Sequence, residues 1–74
     1  MNPLRKKLRK FREDLGYTQQ SLADEIGISK AVYCYLETGR RDGSVKLWLK
    51  IKKALSLTNE ELVEVMEEGI FLDI

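Results

Sequence analysis

Thr18–Gly39, TQQSLADEIGISKAVYCYLETG, is the segment that the rest of the chain is built to hold. It reads as two short helices locked across a tight turn. Thr18 is an N-cap, a residue whose side-chain oxygen satisfies a backbone N–H that the helix start leaves unpaired. The run Gln19, Gln20, Ser21, Leu22, Ala23, Asp24, Glu25, Ile26 is helical in character. Gly27 takes the left-handed conformation that ends a helix without a Cβ clash. Ile28 then supplies a buried anchor, Ser29 caps a second helix from Lys30 to about Thr38, and Gly39 stops it.

The chain has 74 residues, room for one domain over 1–74 with its paired helices at about 18–39. A core of this size is marginal, so tight helix packing or dimerisation must supplement it. A composition 43% apolar and 34% charged is that of a folded, water-compatible chain. No apolar run approaches the roughly 20 residues needed to span a bilayer. The N-terminus is charged from Arg5 onward, unlike a signal peptide. One cysteine, Cys34, excludes an internal disulfide and fits a reducing cytoplasm.

The net charge of +1 hides an asymmetry. Residues 1–12 carry Arg5, Lys6, Lys7, Arg9, Lys10 and Arg12 with no acid among them. Residues 58–74 carry Glu60, Glu61, Glu64, Glu67, Glu68 and Asp73 with no base. Residues 1–57 hold 13 bases against 6 acids, a balance of +7. The near-neutral total is therefore compatible with a nucleic-acid partner.

Asn2-Pro3 predicts the opening of a first helix, with Asn2 as N-cap and proline at the first helical position. Leu4, Leu8, Phe11 and Leu15 make one apolar stripe along it, and Gly16 ends it. Its bases read as a solvated surface as readily as a nucleic-acid contact. In the paired helices Leu22, Ala23 and Ile26 face the core, then Val32 or Tyr33, then Leu36. Ala23 permits a close crossing of two helices.

Arg40-Arg41-Asp42-Gly43 is a turn, and Ser44 caps a fourth helix from Val45 to about Leu55. Val45, Trp48, Ile51 and Leu55 fall at core spacing, with Lys46, Lys50 and Lys53 on one outer face. Leu47 and Leu49 read as bundle filling in preference to a partner surface. Thr58 and Glu61 form a capping box for a fifth helix carrying Leu62, Val63, Val65 and Met66 and ending near Gly69. The apolar tail Ile70–Ile74 is expected to pack on the domain or on a second copy.

Two helices joined by about 3–4 residues with a glycine are a helix-turn-helix, whose second helix lies in the major groove of DNA. The segments LRKFREDLGYTQQSLADEIGIS, YLETGRR and SVKLWLKIKKALSLTNEELV, in this order and spacing, resemble the phage-repressor-like helix-turn-helix family, also called the Cro-repressor or xenobiotic-response-element type. The likeness runs from Leu4 to Val63. It implies an all-α, compact five-helix lambda-repressor-like domain that binds operator DNA as a two-fold dimer.

Residue by residue, the resemblance implies that Gln19, and with it Gln20, braces the DNA backbone. A helix N-terminus also favours a phosphate there on physical grounds. Ser29, Lys30, Ala31, Cys34 and Tyr35 match groove-facing positions. Arg40, Arg41, Lys46 and Lys50 match places that run beside phosphates. The sequence departs from the family in having no Arg, Asn or Gln on the recognition helix, so it lacks the usual bidentate readers of guanine and adenine. Lys30 reaches guanine acceptors, while Ala31 and Cys34 suit thymine methyls, a set that reads shape and methyl groups. Tyr33 stands where the family mostly has isoleucine or valine, and is expected in the core with its hydroxyl at the edge. Lys52 replaces alanine, its stem lying along the surface. A thiol at Cys34 could act as a redox switch; with no cationic cluster beyond Lys30 to activate it, a steric role is expected.

The leading expectation is a sequence-specific transcriptional regulator, a bacterial or phage repressor on a near-palindromic operator of double-stranded DNA. It would act in the cytoplasm as a homodimer joined through the fifth helix and the C-terminal tail. The alternative is an antitoxin that binds a toxin protein and regulates its own promoter. An enzyme is disfavoured: there is no histidine, no pair of cysteines and no glycine-rich phosphate loop, so no catalytic residue, metal site or cofactor is expected.

Overall fold

The computed structural model describes residues 5–70, with side chains through Glu68. Five helices follow one another: α1 (Lys6–Asp14), α2 (Gln19–Ile26), α3 (Lys30–Glu37), α4 (Val45–Leu55) and α5 (Asn59–Ile70). No strand is present among the described residues. α2 packs against α3 and α4, while α1 packs against α5 and α3.

The α2–turn–α3 unit is built from local hydrogen bonds. Thr18 Oγ1 accepts the Ser21 N–H at 3.0 Å and Ser21 Oγ accepts the Thr18 N–H at 2.9 Å, a reciprocal capping box. Gly27 closes α2 at φ +77°, where a Cβ would be strained. Ser29 Oγ then accepts the Val32 N–H and starts α3. Ala23 is fully buried, so α2 brings only a methyl group to the core at this position. At the far end Thr38 Oγ1 donates to the Cys34 carbonyl at 2.9 Å and ties off α3.

One core joins all five helices. Leu8, Leu22, Ala23, Ile26, Tyr33, Leu36, Trp48, Ile51, Leu55, Leu57, Leu62 and Val65 are buried together, with Phe11, Ile28 and Leu47 half-buried around them. Leu57 enters it because Ser56 adopts a left-handed backbone (φ +54°) that ends α4 and turns the chain inward. Thr58 and Glu61 form the expected capping box, at 3.1 and 2.8 Å.

The first helix differs from its sequence reading. Asn2 and Pro3 lie outside the described residues, and α1 begins at Lys6 with Arg5 as its N-cap. Arg5 offers no side-chain cap; instead the Lys7 N–H donates to Glu68 Oε1 of α5 at 2.7 Å. Leu15 is not core: α1 ends at Asp14, and the C-cap geometry leaves Leu15 54% exposed. The buried face of this segment runs through Arg5, Leu8 and Arg12, so two of the bases read as solvated are interior.

Four further corrections concern α3 to α5. The Tyr33 hydroxyl is buried, not at the edge. Val45, in the first turn of α4, is 73% exposed and so is not core, and Leu49 one turn later is 54% exposed rather than filling the bundle. Gly69 does not end α5, which runs on to Ile70. The apolar tail beyond Ile70 lies outside the described residues.

Candidate nucleic-acid interface

α3 is positioned by two buried arginines that hold its C-terminal turn. Arg12 sends Nε and Nη2 to the two carboxylate oxygens of Glu37 at 2.9 and 3.0 Å, and Nη1 to the Tyr17 carbonyl at 2.7 Å. A planar guanidinium suits this two-pronged pairing. The bond to Glu37 raises the Arg12 pKa above its ordinary value, so the guanidinium stays charged. Tyr33 lies beside it; burial first, then the charge of Glu37, raises its phenol above the ordinary value.

Arg5 works on the segment that leaves α3. Its Nη1 donates to the carbonyls of Leu36 (2.7 Å) and Arg41 (3.0 Å), and its Nη2 pairs with Asp42. The guanidinium carbon lies 4.9 Å from the centroid of the Trp48 ring, a cation–π stack. The Arg5 N–H also donates to the Glu37 carbonyl at 2.7 Å. Gly43 lets the turn lie against this cluster, since a Cβ there would come within 3.1 Å of Leu47 and 3.3 Å of the Trp48 Nε1. The turn bearing Arg40 and Arg41 is thereby fixed to the residue that opens α1.

The residues expected at base edges occupy the start and one side of α3. Ser29, Lys30 and Ala31 are exposed, Tyr35 is 41% exposed, and Cys34 is half-buried. The Ser29 oxygen already accepts the Val32 N–H, so its O–H and one lone pair remain for another partner. Tyr35, Arg40 and Arg41 line one shallow cleft of about 330 Å³. Lys46 is exposed in the first turn of α4. Gln20 leans along its own helix, its Nε2 donating to Asp24 at 2.9 Å. Gln19 is half-buried in a basic groove of about 680 Å³ against α1. Lys50 lines a cleft with Lys53, Asp24, Glu25 and the α2–α3 turn.

The sequence reading missed Arg5, Arg12 and Glu37. A signal was present: Arg5, Leu8 and Arg12 stand at i, i+3 and i+7, one helical face shared with a core leucine. Charge alone assigned the two arginines to the surface. Glu37 stands within YLETGRR, where nothing in the local spacing marks a partner 25 residues earlier.

Among the described residues no cluster of His, Cys, Asp or Glu could hold a metal ion, and no helix is long and apolar enough to cross a membrane.

Five helices around one core, with a capped pair whose second member exposes its N-terminal turn, define a DNA-binding helix-turn-helix protein. A helix-turn-helix family model matches residues 8–62, and the chain belongs to that family, of the xenobiotic-response-element type. It is 32% identical over 68 residues to an uncharacterised HTH-type transcriptional regulator of Archaeoglobus fulgidus, covering 92% of this chain and 97% of that one. It is 31% identical to the HTH-type transcriptional regulator YgzD of Bacillus subtilis, covering 89% of this chain and all of the relative. Among solved structures it is similar to the restriction-modification controller protein C.AhdI from Aeromonas hydrophila, with a TM-score of 0.72 and 31% identity, over 78% of this chain and 88% of that one. The clp gene regulator ClgR from Corynebacterium glutamicum gives a TM-score of 0.75 at 28% identity, over 93% and 74%. The chain is a DNA-binding transcriptional regulator.

Proposed function

We propose that α3 enters the major groove of a specific operator, with Ser29, Lys30, Ala31, Cys34 and Tyr35 toward the bases. Gln19, Gln20, Arg40, Arg41, Lys46 and Lys50 supply backbone contacts. The observation that carries this reading is the exposed first turn of α3, Ser29 to Ala31, held in place by the buried Arg12–Glu37 and Arg5 clusters. With no bidentate base reader on α3, affinity rests on phosphate contacts and each base position contributes modestly.

The regulator acts as a repressor in the cytoplasm, a two-fold dimer joined through α5 and the residues after it. Its two recognition helices then sit about 34 Å apart on a near-palindrome. The outer face of α5 supports a protein contact: Val63 is 50% exposed between Asn59, Glu60 and Glu64, which line a shallow cleft with it. The same face would serve a toxin partner in the antitoxin reading.

Selection of binding sites from random duplex DNA, with a salt titration and a Lys30→Ala variant, tests the assignment. An enriched half-site repeated about 10 base pairs apart is expected, with Lys30→Ala relaxing its preference. No enriched sequence and no salt dependence would sink it. Sedimentation of the chain lacking residues 70–74 tests the dimer; an unchanged dimer rules out the tail.

A further inference from the structure

α1 carries six of the chain's cations within or next to it, and they divide by partner. Arg5 and Arg12 are buried and paired. Lys7 turns to α5, its Nζ 3.5 Å from Glu64. Lys6, Arg9 and Lys10 instead line the groove of about 680 Å³ that runs from Gln19, at the start of α2, to Thr38, at the exit of α3. The two ends of that groove adjoin the two groups of backbone contacts proposed above: Gln19 belongs to the first, and Arg40 and Arg41 follow Thr38.

The electrostatics of the groove favour an anion. Its acids are Glu37, cancelled by the two-pronged bond from Arg12, and Glu13, which faces Arg9 at 3.4 Å. Lys10 faces Asp14 at 3.8 Å. These last two pairs are solvent-exposed and contribute little, so a phosphate can displace either carboxylate. Lys6, Arg9 and Lys10 lie within about one turn on neighbouring positions of one helix, close enough to meet consecutive phosphates of one strand. A guanidinium and two ammonium groups offer donors and no acceptors, which suits a phosphodiester and reads no base.

We infer that the groove between α1 and the α3 exit, through Lys6, Arg9 and Lys10, is a further phosphate-binding track that continues the DNA backbone path between Gln19 and the Arg40–Arg41 turn. The inference rests on the DNA-binding geometry proposed above and adds α1 to it. It also gives a use to the chain's charge asymmetry: acids of α5 meet Lys7 on one flank of α1, while the other flank carries only exposed pairs within the helix and is left for DNA.

The test compares the full chain with Lys6→Gln/Lys10→Gln and with a charge-matched control, Lys52→Gln/Lys53→Gln, on the selected operator and on a random duplex. All four lysines are at or near the surface, and circular dichroism checks that each variant folds. The track predicts that Lys6→Gln/Lys10→Gln weakens both duplexes by a similar factor. The slope of log Kobs against log salt should become shallower by about 1 per lysine removed. The control should leave that slope within error of the parent. An unchanged slope in Lys6→Gln/Lys10→Gln, or an equal loss in the control, overturns the track. If either result comes while the parent chain still binds salt-dependently and Lys30→Ala still relaxes specificity, only the track has failed. Absence of DNA binding by the parent chain would instead remove the geometry beneath it.

Discussion

Arg12 of α1 and Glu37 of α3 form a buried, two-pronged ion pair, with nitrogen–oxygen distances of 2.9 and 3.0 Å and both side chains less than a tenth exposed. Because Glu37 closes the recognition helix, the pair sets where that helix sits relative to α1. Removing one partner strands the other charge in the interior. Such a change costs about 3–5 kcal/mol, a large share of the roughly 5–15 kcal/mol that a domain possesses. Glu37→Gln is expected to lose that much in urea unfolding, and Arg12→Met/Glu37→Leu to recover part of it. A single variant within about 0.5 kcal/mol of the parent would show that the pair is dispensable.

Arg5 gives a second prediction, on binding rather than on the core. Its forked contacts to the Leu36 and Arg41 carbonyls and to Asp42, stacked on Trp48, hold the turn that carries Arg40 and Arg41. Lysine keeps the charge but not the planar fork. Arg5→Lys is expected to weaken operator binding about tenfold or more while α2 and α3 stay folded, with amide exchange speeding up in residues 38–44. Protection there equal to that of the parent chain would rule out the fastening role.

The phenol oxygen of Tyr33 is buried beside the Arg12–Glu37 pair, with no partner at good hydrogen-bond geometry among the described residues. Leaving such a donor unmatched costs stability, so Tyr33→Phe should be neutral or stabilising by about 1 kcal/mol. Burial also raises the folded-state pKa of Tyr33 above its ordinary value of 10.0. The folded chain then keeps a proton that the unfolded chain loses, so stability is full below about pH 10 and falls as pH rises further. The slope approaches about 1.4 kcal/mol per pH unit. Denaturation between pH 9 and 11 should show a shallower decline in Tyr33→Phe; parallel curves would contradict this.

Glu68 caps α1 from the other end of the chain, accepting the Lys7 N–H at 2.7 Å. Loss of a cap costs about 0.5–2 kcal/mol. Glu68→Ala should lower thermal stability by this amount and increase exchange of the first amides of α1, whereas Glu67→Ala, on an exposed neighbour, should do neither.

Ser56 ends α4 in a left-handed conformation that costs an L-residue about 1–2 kcal/mol. Glycine adopts it freely but loses more entropy on folding, so Ser56→Gly is expected to gain about 0.5–1 kcal/mol. A destabilised Ser56→Gly would mean that the serine makes a contact of its own.

What the sequence determined by itself was local. Thr18, Gly27, Ser29, Ser44, and Thr58 with Glu61 each act on backbone within about four residues, so their chemistry could be read in place and the helix limits followed. Helical spacing likewise picked out Leu22, Ala23, Ile26, Leu36 and Trp48 as core. Those features name the fold and the recognition helix. Only the tertiary structure decided the fate of the charges. Arg12 finds Glu37 at a separation of 25 residues, Arg5 finds Leu36 at 31, and Lys7 finds Glu68 at 61. A guanidinium is buried only where distant carbonyls and carboxylates converge on it, and no spacing along the chain announces such a convergence. The same limit hid the exposure of Val45 and Leu49, since a helix shows which residues share a face but not how wide a strip its neighbours cover. The motif between Thr18 and Gly39 was therefore legible in the chain, while the fastening of α3 exists only once Arg5 and α1 have packed against it.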